Sequence, residues 1–223
     1  MLLTGGAPVD GKRIVTSDMR IHFVRHGESQ ANVRREIANR GLKHPLTRQG
    51  RAQARALAAA LRAHPIARVY SSPLLRALET SVVVAHALDV PLEVSEALRE
   101  YDLGRLEGRS DEAAWREWKC VFEAWTRLGE HDRHAEGGER FAEVRARFVP
   151  FVDTLVARHA GDDEVVCVAH GGLYWTMLPL VLVDVDFEHV AARGGFGHAA
   201  HVVAEARHEG LVVVAWEAIT AAI

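Results

Sequence analysis

Short apolar runs rich in β-branched and aromatic residues alternate along this chain with longer stretches whose apolar positions recur every three or four residues. The runs Ile21–Val24, Ala67–Ser71 and Glu164–Ala169 predict buried strands, and Pro91–Val94 a shorter one. Thr47 is a candidate N-cap for an alanine-rich helix to about Ala63, with Ala54, Leu57, Ala58 and Leu61 on one face. Ser72-Pro73 reads as an N-cap followed by proline at the first helical position, opening a helix to about Leu88. Asp111–Leu128 and Glu139–His159 carry helical periodicity. In the first, Trp115, Trp118, Phe122 and Trp125 form one aromatic stripe, read as core packing with a lid as its alternative. Gly171-Gly172 opens an apolar helix to about Val183, and two β-rich segments near Ala199–Ala206 and Leu211–Trp216 close the chain around a turn at Glu209-Gly210. Glu28–Arg40 is irregular or one short helix, and Leu98–Ser110 a glycine-punctuated loop. Strands alternating with helices predict an α/β three-layer sandwich, a mostly parallel central sheet covered by helices on both faces.

The totals sharpen this picture. With 223 residues, 48% of them hydrophobic, the chain can bury a sizeable core as one domain. A formal net charge of −3 lacks the basic footprint of a nucleic-acid binder, so an anion site has to be a local arginine cluster. Two cysteines are too few for a disulfide framework, and Cys167 lies inside an apolar run, as a buried thiol in a reducing, cytoplasmic setting would. The longest apolar stretch, Leu173–Val185, contains Pro179 and falls short of a membrane span. Residues 1–18 lack the pattern of a signal peptide and read as a loose extension ahead of a domain spanning 19–223, with Met19 as a second candidate start.

Three apolar runs end in polar residues at a tight turn or helix start: Val24-Arg25-His26-Gly27, Tyr70-Ser71-Ser72-Pro73-Leu74-Leu75-Arg76 and Val168-Ala169-His170-Gly171-Gly172. In a parallel sheet such ends converge on one edge, where ligands bind. Two arginines offer planar forks suited to phosphate, and imidazole serves as nucleophile or proton shuttle near neutral pH. The remaining histidines, among them His22, His44, His198 and His201, carry no motif, and His131-Asp132-Arg133-His134 reads as a polar loop in preference to a metal cluster.

Arg25-His26-Gly27-Glu28-Ser29 with Asn32 resembles the signature of the histidine phosphatase superfamily, also called the phosphoglycerate mutase-like family. The resemblance continues through Leu46-Thr47-x-x-Gly50-x-x-Gln53-Ala54, Ser71-Ser72-x-x-x-Arg76-Ala77-x-x-Thr80, Glu100-x-x-x-Gly104-x-x-Glu107-Gly108 and His170-Gly171-Gly172, covering nearly all of Met19–Trp216. It implies a phosphoglycerate mutase-like fold and catalysis by His26, Glu100, His170, Arg25 and Arg76. His26 becomes a phosphohistidine, Arg25, Arg76 and His170 clamp the phosphoryl oxygens, and Glu100 is general acid and then base. Asn32, Ser29 and Gly171 are the expected substrate contacts, and Glu28 supports Arg25 from behind. No metal and no cofactor is implied. Residues 109–136 correspond to a lid insertion in which Arg105, Arg109, Arg116 and Lys119, in or near it, are candidates for a second anion.

The expected activity is metal-independent hydrolysis of a small phosphorylated metabolite. The insertion lacks the arginine pair and proline-rich stretch of the mutases, and Gly137-Gly138-Glu139-Arg140 stands where relatives often read Gly-Gly-Glu-Ser. Phosphoglycerate mutase-type transfer and a non-catalytic phosphate-binding module are the alternatives. The apolar last strand leaves a homodimer edge open.

Overall fold

The computed structural model describes residues 19–218, apart from 160, 162, 194 and 195; the expected amino-terminal extension lies outside them. Six strands form one sheet: β1 (Arg20–Arg25), β2 (Ile66–Ser71), β3 (Leu92–Val94), β4 (Glu164–Ala169), β5 (Ala200–Arg207) and β6 (Gly210–Ala218), in the order β3-β2-β4-β1-β5-β6. The first four are mutually parallel, and β5 and β6 join antiparallel at the β1 edge. This is the mostly parallel sheet expected.

Side chains on successive strand positions point to opposite faces, which divides the core in two. On one face, Val24, Val69, Val166 and Val168 pack against Leu57, Ala58 and Leu61 of α2 (Arg48–Leu61) and Ala77 and Val84 of α3 (Leu75–Leu88). On the other, Phe23, Tyr70, Val165 and Cys167 meet Phe148 and Val152 of α5 (Phe141–Arg158) and Leu173 and Tyr174 of α6 (Gly171–Met177). Each fully buried Leu, Val or Phe contributes about 1.5–3 kcal/mol, so both layers are held by their apolar stripes. The Thr47 hydroxyl caps α2 by accepting from Gly50 N–H at 3.0 Å. Cys167 is buried, and neither cysteine is in a disulfide.

Four local expectations change. Helix α3 begins at Leu75 with Leu74 in the cap position, and the Ser72 hydroxyl, two residues earlier, accepts from Leu74 N–H at 3.3 Å and contacts His170. The helix from Gly171 stops at Met177 and tightens into a 3-10 turn, Leu178–Leu180, where Pro179 cannot continue it. Segment 28–40 holds one short helix, α1 (Gln30–Arg34), as one of its two readings had it, whereas α7 (Phe187–Ala192), capped by Asp186, was not anticipated. The stripe-bearing helix α4 (Glu112–Glu123) widens into a π turn, Ala124–Leu128. That phase change sends Trp125 into the core against Tyr101 and Phe141, away from its three aromatic partners.

Candidate active site

The carboxyl ends of β1, β2 and β4 deliver His26, Arg76 and His170 to one edge of the sheet, as their parallel registers require. His26 is 2% exposed. Its Nδ1 lies 2.7 Å from the Gly27 carbonyl oxygen, so that nitrogen carries the ring proton and donates. Its Nε2 therefore presents a lone pair, and Arg76 Nε donates to it at 3.0 Å. Burial, then the charges of Arg76 and Arg25, hold the His26 pKa well below the ordinary histidine value. The imidazole is neutral with Nε2 unprotonated, the state a nucleophile needs.

Both guanidiniums are pinned with donors to spare. Arg76 also donates from Nη1 to the Ala38 carbonyl at 2.7 Å. Burial pushes its pKa down to about 10, which leaves it charged at neutral pH. Arg25 donates to the Phe196 carbonyl, and its buried Nε has no partner among the described residues. Glu100 receives one backbone N–H on each oxygen, from Gly172 at 3.0 Å and Tyr101 at 3.1 Å. Burial outweighs Arg76 and those two donors and raises its pKa, favouring the protonated acid. His170 stands behind His26, ring centroids 5.1 Å apart, with Nε2 2.7 Å from the Ser72 hydroxyl and a buried Nδ1 without a partner among the described residues. Burial and Arg76 keep it neutral.

These groups surround a cavity of about 260 Å³ lined by Arg25, His26, Arg76 and Glu100, with Asn32 and Gly171 at its wall. His170 does not reach the lining. Ser29, an expected substrate contact, is fully buried outside it, because its hydroxyl donates to Asn32 Oδ1 at 2.8 Å; it positions Asn32 instead. Glu28 does not touch Arg25. Its carboxylate accepts from the Thr47 hydroxyl at 2.6 Å, while its N–H donates to Gln53 Oε1 at 2.8 Å.

Those two bonds explain the Thr47-x-x-Gly50-x-x-Gln53 spacing, which clamps α2 to the loop carrying His26. A Cβ on Gly50 would fall 1.9 Å from the Glu28 carbonyl oxygen, so the clamp admits only glycine there. Thr80 completes it from α3, accepting from Gly27 N–H at 3.2 Å and donating to the Arg76 carbonyl at 2.8 Å. Glu107 accepts from the backbone of Asn39 and Arg40, holding the segment whose Ala38 carbonyl fixes Arg76.

The far wall is aromatic. Trp115, Trp118 and Phe122 of α4 join Trp175 and Phe196 in the lining, and Trp115 and Trp118 also pack against the core as the first reading of the stripe expects. The four cations proposed for a second anion do not line the cavity. Arg105 pairs with Glu117, Arg109 with Asp111, Arg116 with Glu112 and Lys119 with Glu123. Arg140 caps α5, exposed and outside the lining. Sequence reasoning missed Trp175, Phe196 and His198. The last lies beside Arg25 in an adjoining groove, its pKa lowered to about 4 by burial and that guanidinium. Phe196 and His198 follow the last recognised motif by more than twenty residues, and only their closeness to Arg25 in space marks them.

A family model described as histidine phosphatase superfamily (branch 1) matches residues 21–219. Glucosyl-3-phosphoglycerate phosphatase of Mycolicibacterium vanbaalenii is 31% identical, across 82% of this chain and 82% of its own. A putative phosphoserine phosphatase 2 of Hydrogenobacter thermophilus is 32% identical over 77% and 82%. A probable phosphoglycerate mutase of Salmonella choleraesuis is 33% identical over 69% and 70%. Among solved structures, mycobacterial glucosyl-3-phosphoglycerate phosphatase in complex with VO3 superposes with a TM-score of 0.73 at 26% identity, over 91% of this chain and 99% of that one. With a neutral buried histidine between two buried guanidiniums and a family match across nearly the whole described chain, this protein belongs to the histidine phosphatase superfamily.

Proposed function

We propose that the chain hydrolyses phosphomonoesters of small metabolites through a phosphohistidine on His26. The observation that carries this is the His26 tautomer: Nδ1–H is spent on Gly27, and the Nε2 lone pair, which accepts from Arg76 Nε, becomes the nucleophile as Arg76 turns its donors to the phosphoryl oxygens. The Nε2 lone pair forms a bond to phosphorus as the ester P–O bond breaks, and Glu100 gives its proton to the departing oxygen. The resulting Glu100 carboxylate takes a proton from water, whose oxygen attacks phosphorus and returns the P–N electrons to Nε2. Arg25 and Arg76 supply the positive charge for the equatorial oxygens, and Asn32 at the wall a further polar contact.

The lining favours hydrolysis over mutase transfer. Among the described residues that line the cavity, the cationic side chains are Arg25 and Arg76, both committed to the first phosphoryl group. A bisphosphorylated or carboxylate-bearing ligand needs a further cation at its other end, and that end meets Trp115, Trp118, Phe122 and Trp175. The nearest candidate, Arg35, is exposed in the adjoining groove. The substrate is therefore a monophosphate whose remainder is neutral and presents a flat or apolar face. Turnover of an aryl phosphate and a panel of sugar, nucleoside and glycerate phosphates in the presence of chelator tests this. Chelator-resistant hydrolysis, lost in His26→Ala and accompanied by a phospho-adduct mapping to His26, is the expected result. A preference for phosphoglycerates would overturn the neutral-remainder reading, and isomerisation without phosphate release would overturn the hydrolase reading.

A further inference from the structure

One cluster of buried polar side chains takes no part in this chemistry. It sits at the amino ends of β1 and β4, on the α2–α3 face, away from the strand ends that carry the cavity. His22 in β1, His64 in the turn before β2 and Glu164 at the start of β4 bring one donor atom each within 4.8 Å of one another. Glu164 Oε2 lies 2.6 Å from His22 Nε2 and 2.9 Å from His64 Nδ1. His22 is fully buried and Glu164 is 5% exposed, whereas the His64 side chain is 35% exposed and opens the cluster to solvent. Behind His22, its Nδ1 is 2.7 Å from Nε2 of the buried His201, the rings stacked at 4.8 Å. Burying two imidazoles and a carboxylate among valines carries a desolvation cost that the catalytic site does not explain.

We propose that His22 Nε2, His64 Nδ1 and Glu164 Oε2 form a binding site for a divalent cation of the zinc type, separate from the catalytic cavity. Two imidazoles and one carboxylate suit a borderline cation, whereas Mg²⁺ and Ca²⁺ require all-oxygen shells and Cu⁺ selects thiolate. Zinc bonds of about 2.0–2.2 Å in a tetrahedron separate neighbouring donors by about 3.3 Å, so the Glu164–His22 contact opens by about 0.7 Å and the Glu164–His64 contact by about 0.4 Å, while the two imidazole nitrogens, within 4.8 Å of each other, adjust to the same separation. The exposed side at His64 supplies the entry path and leaves the fourth position to water.

The protons balance without release. The cation displaces the two N–H···O bonds to Glu164, and each imidazole carries its proton on the other ring nitrogen. His22 then donates from Nδ1 to His201 Nε2, whose own proton resides on Nδ1. This is the outer hydrogen bond that orients a metal-binding histidine. Arg20 holds the second Glu164 carboxylate oxygen at 3.4 Å.

The test is calorimetric titration of the chelator-stripped full chain with Zn²⁺, with Co²⁺ absorption as a reporter of tetrahedral nitrogen–oxygen coordination. Wild type is expected to bind one equivalent. His64→Ala changes a side chain at the surface and should keep cooperative melting while losing affinity on the order of a hundredfold or more. His201→Phe removes the outer acceptor and should lose about ten- to hundredfold. His26→Ala should bind as wild type, which separates this site from capture by the catalytic histidines. Absence of stoichiometric binding by wild type, or affinity that survives His64→Ala, overturns the proposal and leaves the cluster a hydrogen-bonded staple between strands.

Discussion

Replacing Glu100 with glutamine removes one proton donor and leaves the rest of the cavity in place, and its effect should depend on the leaving group. Positioned general acids contribute on the order of 10²- to 10⁴-fold, or about 2.7–5.4 kcal/mol at 1.36 kcal/mol per decade. An alkyl phosphate, whose leaving oxygen needs a proton, should suffer that whole loss in the step that forms phosphohistidine. A nitrophenyl phosphate, whose leaving group departs as the anion, should form the adduct at nearly the wild-type rate. Its adduct should then accumulate, because the base for the attacking water is gone. The glutamine also accepts from only one of the two N–H groups that Gly172 and Tyr101 direct at the carboxylate, a stability loss of about 1–3 kcal/mol. Rapid-quench single turnovers with both substrates, read by intact mass, separate these effects. Equal losses on the two leaving groups, or no adduct from the activated one, would refute Glu100 as the acid.

Arg76→Lys cannot reproduce the simultaneous bonds to His26 Nε2 and the Ala38 carbonyl, and turnover of an aryl phosphate should fall on the order of a hundredfold or more; a change in KM alone would contradict this. The pH dependence of kcat/KM should be a bell on the acidic side of neutral. As pH falls, activity is lost when His26 gains a proton, at a pKa held well below the ordinary histidine value; as pH rises, it is lost when Glu100, its pKa raised by burial, gives up its proton. A profile that climbs through alkaline pH would contradict this assignment. Gly50→Ala places a Cβ 1.9 Å from the Glu28 carbonyl and should lower unfolding free energy by about 1–3 kcal/mol and reduce turnover together, measured by denaturant titration and aryl phosphate hydrolysis.

The sheet and its active edge were legible because apolar runs ended in Arg25-His26, Ser71-Ser72 and His170-Gly171, and parallel pairing aligned those ends. The face of α2 was readable from helical spacing alone, since Ala54, Leu57, Ala58 and Leu61 all point inward. Roles set by side-chain partners across the fold were less so. Ser29 is polar and next to the signature histidine, yet its hydroxyl turns to Asn32; Glu28 was expected behind Arg25 and instead fastens Thr47. Phe196 and His198 reach the site only because β5 pairs antiparallel to β1 and carries the preceding loop back over Arg25. The cluster of His22, His64, Glu164 and His201 shows the same limit more sharply. Its members are spread over 180 residues, and a search for close ligand spacing along the chain passes over them.

The electrostatics of the empty cavity give these assignments a common cause. Burial, with the charges of Arg76 and Arg25, disfavours a proton on His26 and His170, and burial raises the Glu100 pKa, so the positive charge held at the site is that of Arg25 and Arg76. A phosphate dianion matches it. The buried Nδ1 of His170 has no partner among the described residues, and burial with Arg76 disfavours its protonation. His26 differs, because its Nδ1 donates to Gly27 and its Nε2 accepts from Arg76. The asymmetry between the two histidines lies in the Gly27 carbonyl, which accepts from His26 Nδ1 at 2.7 Å. That bond sets the tautomer on which the proposed chemistry depends.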